Sequence, residues 1–312
     1  MTEPAVRPPG QPPVFLGIDC GGSHTTVVVG DGNARVLARA DGPGSAMRPG
    51  GAEASAAVIA DTARRAAAAA GVALPAQAAM VGAAGAGREP EQGQLAAALV
   101  AAHVAGRVRV AADTEVTLAA AFGEGPGILL NAGTGSIAFA RTPDGRRHRA
   151  GGYGWQLGDE GGGYWLGRRA LAAAARANDE PEESSTLLER LLVALGLRHL
   201  DDLIRWTATA TPAQVAALAP HVLNAAGEGE AVAQRAVTDA AAELGRLVDL
   251  LARHFPGPEP IAVATGGGLL RPGSPLLRAL HDVLATGVPR ARLLDRPVDA
   301  PVEAVRLAAR LI

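Results

Sequence analysis

The chain has 312 residues, of which 48% are hydrophobic, and a formal net charge of −2 at pH 7. This length supports one or two domains, each large enough to bury its own core. No lysine occurs, so all 29 residues counted as Lys or Arg are arginines. The absence of lysine excludes a P-loop lysine, a Schiff-base lysine and a lysine general base. The arginines are scattered instead of clustered on one stripe, so nucleic acid is not predicted as a partner.

The cysteine content and the first residues bear on location. Cys20 is the only cysteine, which rules out an intrachain disulfide and an all-cysteine zinc or iron–sulfur site within one chain. Residues 1–13 contain five prolines and lack a basic start and an apolar run, so they predict a disordered tail and not a signal peptide. The longest uncharged stretch, Ala66–Gly87, is broken by Pro75 and is too weakly apolar to span a membrane. We therefore expect a cytoplasmic protein without a membrane partner.

The first half of the chain alternates strands with alanine-rich helices. Short apolar or β-branched runs that end at glycine or Asp-Gly predict strands, whereas alanine-rich stretches predict helices. The predicted elements are, in chain order, strands Val14–Asp19 and Thr25–Val29, helix Ala52–Ala70, strand Ala79–Val81, helix Glu91–Val104, strand Val108–Ala112 and helix Thr114–Phe122.

The second half repeats the strand, glycine turn and strand before it becomes helical, which indicates an internal duplication. The predicted elements are strands Ile128–Leu130 and Ile137–Ala140, helices Trp165–Ala177, Ser185–Leu195, Leu200–Ala208, Pro212–Ala226 and Ala231–His254, strand Ile261–Ala264, helix Pro275–Leu284, strand Arg292–Leu294 and helix Val302–Leu311. We predict domains over 14–118 and 119–300, with a helical insertion over 185–254. The terminal helix, 301–312, is a candidate to pack on the first domain.

Three glycine-rich turns follow predicted strands: Gly21–Gly22, Asn131–Ser136 (NAGTGS) and Thr265–Gly268 (TGGG). Backbone amides in such turns can approach an anion closely because no Cβ intervenes. Each turn alone is also compatible with an ordinary hairpin, but the three together predict nucleotide phosphates held between two domains. None has the GxGxxG spacing of a dinucleotide site, and a strand instead of a helix follows the first two.

Five segments resemble the N-acetylglucosamine kinase and activator-ATPase family, which belongs to the actin, Hsp70 and sugar-kinase superfamily. They are GIDCGGSHTTVVVG (Gly17–Gly30), VAADTEVTLAAAFG (Val110–Gly123), NAGTGSIAFA (Asn131–Ala140), GGYGWQLGDEGGGYWLG (Gly151–Gly167) and ATGGGL (Ala264–Leu269). The resemblance implies an α/β protein with two ribonuclease-H-like (actin-like ATPase) domains around an ATP cleft. It also implies a homodimer.

The resemblance further implies a site for ATP and Mg²⁺, in which Asp19 holds the metal ion. The implied phosphate contacts are Gly21, Gly22, Ser23 and His24 in the first turn and Thr134 and Gly135 in the second, and the implied adenosine contacts are Gly266, Gly267 and Gly268. Ser23 and His24 depart from the family's usual threonine and lysine. The serine keeps a hydroxyl, whereas the histidine is positively charged only when it is protonated.

Asp113 is the predicted catalytic base. It follows the strand Val108–Ala112 and matches the family's catalytic aspartate, so we expect it to project from a strand end. Phosphoryl transfer needs aligned donor and acceptor, neutralised charge and a group that accepts the hydroxyl proton. Aspartate also favours the first position of a helix, so capping of Thr114–Phe122 is an alternative role, and both roles can coexist.

A further set of residues is implied at the sugar: Ser45, Gly85, Ala86, Asp113, Tyr153 and Asp159. A solvated loop at Asp159 and a glycine loop that leads into a helix at Gly85 are the alternatives. Ser45 and Tyr153 stand where relatives carry asparagine and tryptophan. We also expect Tyr153 and Trp155 to flank the sugar, where a ring can stack on a pyranose, and the neighbouring Tyr164 and Trp165 to pack as core.

The predicted function is an ATP-dependent kinase that phosphorylates the 6-hydroxyl of an amino sugar, N-acetylglucosamine first, with glucosamine or N-acetylmuramic acid as alternatives. An ATP-binding sensor or an ATPase regulator without sugar transfer is the alternative of another class. An iron–sulfur activator is disfavoured because Cys20 lies within the first glycine hairpin, where a packed thiol is expected, and no second cysteine is present.

Overall fold

The computed structural model describes residues 12–22, 24–179, 185–295 and 298–312. Most of the predicted tail, residues 1–11, therefore lies outside the described residues. The chain divides into two compact units: the first comprises the residues up to Glu124 together with Val298–Ile312, and the second comprises Gly125–Pro297. The first unit thus ends beyond the helix Asp113–Phe122, whereas the sequence analysis placed the division at residue 118, which lies inside that helix.

The first unit is a mixed sheet with helices on both faces. Its described elements are β1 (Phe15–Cys20), β2 (His24–Gly30), β3 (Val36–Pro43), α1 (Ala52–Ala70), β4 (Ala76–Ala83), α2 (Glu91–Ala101), β5 (Ala105–Ala112), α3 (Asp113–Phe122) and α11 (Ala300–Ala309). The strand order is β3-β2-β1-β4-β5; β1, β2 and β3 are antiparallel neighbours, whereas β1, β4 and β5 run parallel. Alternating side chains of β1 enter two apolar clusters, one with α1 and the other with α11.

The second unit repeats this sheet and adds a helical region. Its described elements are β6 (Gly127–Ala132), β7 (Ser136–Arg141), β8 (Arg147–Gly151), α4 (Gly163–Asp179), α5 (Leu187–Leu195), α6 (Leu200–Thr207), α7 (Pro212–Ala216), α8 (Ala219–Gly227), α9 (Ala231–Ala252), β9 (Ile261–Gly266), α10 (Pro275–Gly287) and β10 (Ala291–Leu293). The strand order is β8-β7-β6-β9-β10, so β6 and β7 take the places that β1 and β2 hold in the first sheet. One apolar cluster joins these helices to the sheet.

The observed elements differ from the predicted ones in two respects: two edge strands were not predicted, and one predicted helix is divided. The edge strands β3 and β8 were not predicted, because their sequences, VLARADGP and RHRAG, are half-exposed and carry charges where an apolar run would signal a strand. The single helix predicted over 212–226 is two helices, α7 and α8. Pro220 has no amide hydrogen to continue the i−4 ladder, so the chain breaks between them. No helix in the described part of the chain is both long and apolar enough to cross a membrane.

Candidate active site

Two aspartates lie at the same edge of the first sheet. Cys20 at the end of β1 is in register with Ala83 of β4, which is in register with Ala112 of β5. Asp19 therefore lies next to the carboxyl end of β1, and Asp113 follows the carboxyl end of β5. In an open α/β sheet this edge is where ligands bind.

Burial and neighbouring charge make Asp19 a weak acid. Burial, with the negative charge of Asp113 next in importance, raises the pKa of Asp19 to about 6; His24 lowers this pKa and Asp299 raises it. A carboxylate held next to a second carboxylate is stabilised by a cation between or beside them. Mg²⁺ is usually bound by one or two carboxylates, with water and substrate phosphates completing the octahedron, so this donor set fits the predicted metal.

Asp113 is the first residue of α3, and its carboxylate is anchored locally. The amide of Thr114 donates to Asp113 Oδ1 at 2.8 Å, while the N-cap position belongs to Ala112, which makes no side-chain capping bond. Burial raises the pKa of Asp113, and the amide of Thr114 opposes this. The Asp113 carboxylate therefore contacts the first turn of α3, and Asp113 is still a candidate for the catalytic base. Gly82, which the sequence analysis missed, permits this placement, because a Cβ there would come within 3.2 Å of the Asp113 Cα.

The first glycine turn is tight and leaves open space around one of its glycines. The Gly21 amide donates to the His24 carbonyl at 2.9 Å, which closes the turn between β1 and β2. A Cβ at Gly22 would meet no atom within 4 Å, and His24 is exposed at the start of β2. Ser23 lies outside the described residues. Gly22 is therefore exposed at the predicted phosphate site, whereas the Gly21 amide is engaged within the turn.

The predicted sugar contacts of the first unit lie beside this turn but are packed. Ser45 is 4% exposed, and its Oγ shares a 2.5 Å hydrogen bond with Thr25 Oγ1, while its amide donates to the Gly21 carbonyl. Gly85 has a φ of +81°, and a Cβ there would overlap the Met47 carbonyl. Ala86 is fully buried. At these positions the structure presents loop backbone, and the Ser45 hydroxyl is already engaged inside the unit.

The second unit joins its glycine turn to Asp159. The amide of Tyr164 donates to the Thr134 carbonyl at 2.9 Å, and Ser136 Oγ donates to the Glu160 carbonyl at 2.6 Å. A Cβ at Gly135 would overlap the Asp159 carboxylate, so only glycine permits this approach. The predicted phosphate contacts and the predicted sugar aspartate of this unit are therefore neighbours.

Asp159 is held in an unusual backbone conformation. Its φ is +62°, and its Oδ1 accepts the Gly154 amide at 3.2 Å. Burial raises the pKa of Asp159; the Gly154 amide lowers this pKa, Glu160 raises it and Arg149 lowers it. A non-glycine residue at positive φ costs conformational energy and is often found at functional sites.

The aromatic residues around this loop divide by exposure into the expected pairs, since Tyr153 and Trp155 are both exposed. Tyr153 is 63% exposed, and the Arg149 guanidinium carbon lies 5.1 Å from its ring centroid. Trp155 is 46% exposed and also makes an edge contact with Tyr164, at 5.1 Å between ring centroids. Tyr164 and Trp165 are partly buried against the core of the unit. Tyr153 is thus the ring most available for a ligand.

The third glycine motif packs against the end of β6. Gly267 has a φ of +84°, and a Cβ there would overlap the Ala132 carbonyl, whereas a Cβ at Gly268 would meet nothing within 4 Å. A Cβ at Gly266 would lie 3.3 Å from Asn131 Oδ1. That oxygen is buried and has no hydrogen-bond partner among the described residues. Asn131 was not predicted as a site residue, although it opens the NAGTGS motif.

Comparison with known proteins identifies the family. The BadF/BadG/BcrA/BcrD ATPase family matches residues 16–309. The chain belongs to this family. The predicted recognition is thereby confirmed, and the family description supports the use of ATP.

Two individual proteins that are similar to this chain are named as sugar kinases. An N-acetylmuramic acid/N-acetylglucosamine kinase of Clostridium acetobutylicum is 29% identical over 234 residues, which cover 73% of this chain and 76% of that protein. A crystal structure from Chromobacterium violaceum, provisionally named an N-acetylglucosamine kinase, has 31% identity and a TM-score of 0.77 and covers 95% of this chain and 99% of that one.

A more distant neighbour shares only the fold. A ROK family glucokinase from Streptomyces griseus, solved in complex with glucose and AMPPNP, has 19% identity and a TM-score of 0.57, with 95% of this chain and 99% of that chain covered. Together with the two mixed sheets, these neighbours confirm the predicted α/β class with two actin-like ATPase domains.

Proposed function

We propose that the protein is an ATP-dependent kinase that transfers a phosphoryl group to the 6-hydroxyl of an amino sugar, with N-acetylglucosamine as the first candidate. The observation that carries this proposal is the pair Asp19 and Asp113 at one sheet edge, beside a glycine turn in which Gly22 is exposed. Family membership and the names of the similar kinases support it.

Asp113 is the group assigned to accept the proton of the sugar hydroxyl. The Thr114 amide holds Oδ1, which orients the carboxylate and assigns Oδ2 to the incoming hydroxyl. Because burial raises the pKa of Asp113, its carboxylate is a stronger base than an exposed aspartate. The positive end of the α3 dipole partly opposes this rise, because it stabilises the ionised carboxylate at the start of the helix.

Asp19 is assigned to Mg²⁺, and the glycine turns to the phosphates. Bound Mg²⁺ would neutralise charge on the transferring phosphoryl group. The exposed Gly22 amide, together with those of Thr134 and Gly135, is assigned to donate hydrogen bonds to phosphate oxygens. These groups orient the nucleotide, while Asp113 handles the proton.

Asp159 and Tyr153 are assigned to the sugar. The Gly154 amide fixes Asp159 Oδ1, so the carboxylate can accept hydrogen bonds from sugar hydroxyls in a defined direction. The exposed Tyr153 ring offers an apolar face to a pyranose. A homodimer and a cytoplasmic location remain predictions from the sequence.

The test is ADP release measured with and without sugar. The purified chain would be assayed with Mg²⁺ and ATP against N-acetylglucosamine, glucosamine, N-acetylmuramic acid, N-acetylmannosamine and glucose. We expect ADP only when an amino sugar is present, and a 6-phosphosugar by mass spectrometry. Strong ADP release without sugar would instead support an ATPase regulator, and ATP binding without any release would support a sensor.

A further inference from the structure

The loop between β3 and α1, residues 44–51, holds the first glycine turn through the backbone. The Gly21 carbonyl accepts two hydrogen bonds from this β3–α1 loop, from the amides of Ser45 and Ala46, each at 3.1 Å. The Gly21 carbonyl and the Gly22 amide belong to one planar trans peptide, so they point in opposite directions. The two amides that fix the carbonyl on one side therefore also fix the direction of the Gly22 N–H on the other side.

The Gly22 amide is the donor of this turn that matters for a phosphate. The Gly21 amide is used within the turn, because it donates to the His24 carbonyl, whereas Gly22 is exposed. A carbonyl that accepts hydrogen bonds polarises its peptide group, which makes the N–H of the same group a stronger donor. The β3–α1 loop thus acts on both the direction and the strength of the Gly22 donor.

A buried chain of hydroxyl groups fastens the loop in this position. Thr25 Oγ1 donates to the Pro43 carbonyl at 2.7 Å, so the 2.5 Å bond between Thr25 Oγ1 and Ser45 Oγ uses the hydrogen of Ser45. Burial raises the pKa of the Cys20 thiol to about 12, and a hydrogen bond with the Ser45 side chain opposes this rise. Cys20 and Thr25 are fully buried cross-strand partners in β1 and β2. Ser45 is therefore fastened to both strands that flank the glycine turn.

The β3–α1 loop is also held at a second point, beside the predicted sugar segment Gly85–Ala86. The Met47 amide donates to the Ala84 carbonyl at 2.7 Å, and a Cβ at Gly85 would overlap the Met47 carbonyl. These contacts involve the backbone and not the Ser45 side chain. Loss of the Ser45 hydroxyl would thus loosen the part of the loop that holds the Gly21 carbonyl and leave the part at Met47 in place.

We propose that Ser45 and Thr25 are positioning residues for the nucleotide, which act through the β3–α1 loop to orient the Gly22 amide toward a phosphate. The proposal rests on the kinase function proposed above and assigns Ser45 to ATP, whereas the sequence resemblance assigned it to the sugar. The hydrogen of the Ser45 hydroxyl is already donated to Thr25, so it is not available to a sugar.

The first test is the affinity for ATP with Mg²⁺, measured by isothermal titration calorimetry without sugar and hence independently of phosphoryl transfer. Thr25→Val keeps the shape of the side chain but removes its hydroxyl, and Ser45→Ala removes the partner hydroxyl. We expect each change to raise the Kd for ATP about fivefold, which corresponds to the ~1 kcal/mol typical of one hydrogen bond. The double variant should bind no more weakly than either single variant, because both changes break the same chain.

Two further variants distinguish orientation of the turn from a general loss of stability. Thr25→Ser keeps the hydroxyl and should retain the Kd of the parent. Thr62→Val removes a buried hydroxyl of α1 that donates to the Val58 carbonyl at 2.9 Å, so it should lower the melting temperature without changing the Kd for ATP. In the kinase assay, Ser45→Ala should raise KM for ATP about fivefold and leave KM for the sugar as in the parent.

The outcomes separate the positioning role from the kinase function. An unchanged Kd for ATP in Thr25→Val and Ser45→Ala, or an equal rise in Thr62→Val, would overturn the positioning role alone. A higher KM for the sugar in Ser45→Ala, with ATP affinity retained, would overturn it and return Ser45 to the sugar. ATP binding without phosphorylation of any sugar would overturn the kinase function, while the Kd values would still decide the positioning role. A parent protein that does not bind ATP would overturn both.

Discussion

The two glycine hairpins occupy equivalent places in their sheets but carry different chemistry. Asp19 is the fifth residue of β1, and Asn131 is the fifth residue of β6. Each is in register with a glycine of the adjacent parallel strand, Gly82 for Asp19 and Gly266 for Asn131. The scaffold is repeated, while the ionisable group is present in one copy and replaced by a neutral amide in the other.

This difference indicates a division of labour between the units. Asp19 and Asp113 give the first unit two carboxylates at one edge; burial, followed by the charge of Asp113, raises the pKa of Asp19, and the pair suits a cation. Asn131 places an uncharged oxygen against the third glycine motif, where a charge would be costly to bury. In the proposed function, the first unit therefore supplies the acid–base and metal-binding carboxylates, whereas the second hairpin carries no carboxylate at the position equivalent to Asp19.

The largest expected effect is on turnover, from loss of the proposed base. Asp113→Asn should lower kcat for sugar phosphorylation by about 10²- to 10⁴-fold, because the amide cannot accept the hydroxyl proton at neutral pH. ATP binding, measured by isothermal titration calorimetry, should be retained. Asp144→Asn, in an exposed turn of the second unit, is the matched control. Near-normal turnover in Asp113→Asn would contradict the assignment.

Asp19→Asn tests the difference between the two hairpins directly, because it gives β1 the amide side chain that Asn131 provides at the equivalent position of β6. We expect loss of Mg²⁺-dependent ATP binding together with a gain in the free energy of unfolding at pH 7.5 of about 1–3 kcal/mol, because a carboxylate with a raised pKa destabilises the fold when it is ionised. Chemical denaturation without nucleotide measures the gain, and calorimetry with Mg²⁺ and ATP measures the loss.

The stability gain expected for Asp19→Asn should depend on pH. The Asp19 carboxyl ionises near its ordinary pKa of 3.8 in the unfolded chain but keeps its proton up to about pH 6 in the folded chain. Its contribution to the free energy of unfolding therefore decreases as the pH rises from about 4 to 6 and stays low above that range. The stability difference between Asp19→Asn and the parent should grow over this window, and a constant difference would count against the burial of Asp19.

Two glycines of the third motif allow an effect on folding to be distinguished from an effect on ATP binding, because Gly267 is crowded and Gly268 is not. Gly267→Ala should lower the free energy of unfolding by about 1–3 kcal/mol, because alanine is strained at positive φ and its Cβ would overlap Ala132. Gly268→Ala has room in the unit and should fold normally. If adenosine lies against this glycine, the second variant should still bind ATP more weakly. Equal ATP affinity in Gly268→Ala and the parent would remove Gly268 from the site.

The smallest expected effect concerns Ser45. Ser45→Ala removes a buried hydrogen bond to Thr25 and should cost about 1 kcal/mol of unfolding free energy. Since that hydroxyl is engaged in packing, the change should appear in the melting temperature before it appears in KM for the sugar. A rise in KM without any loss of stability would show that Ser45 contacts the sugar directly.

The sequence by itself determined the parts of this protein that depend on local chemistry. Runs of apolar residues that end in glycine predicted the central strands, and Asp19 and Asp113 could be placed at strand ends because each follows such a run directly. The repeat of strand, glycine turn and strand indicated two related halves. Helix α1 was predicted with its observed bounds because no Gly or Pro interrupts its alanine-rich sequence.

Only the tertiary structure decided which side chains meet across the chain. The edge strands β3 and β8 form because each pairs with a neighbouring strand, β2 and β7 respectively. Since one side of an edge strand faces solvent, their own sequences contain no apolar run that would predict a strand. Ser45 is buried against Thr25, and Arg149 lies over Tyr153, because loops distant in sequence or turned by glycine bring these groups together. Burial and proximity also set the pKa of Asp19, and no local pattern encodes either quantity.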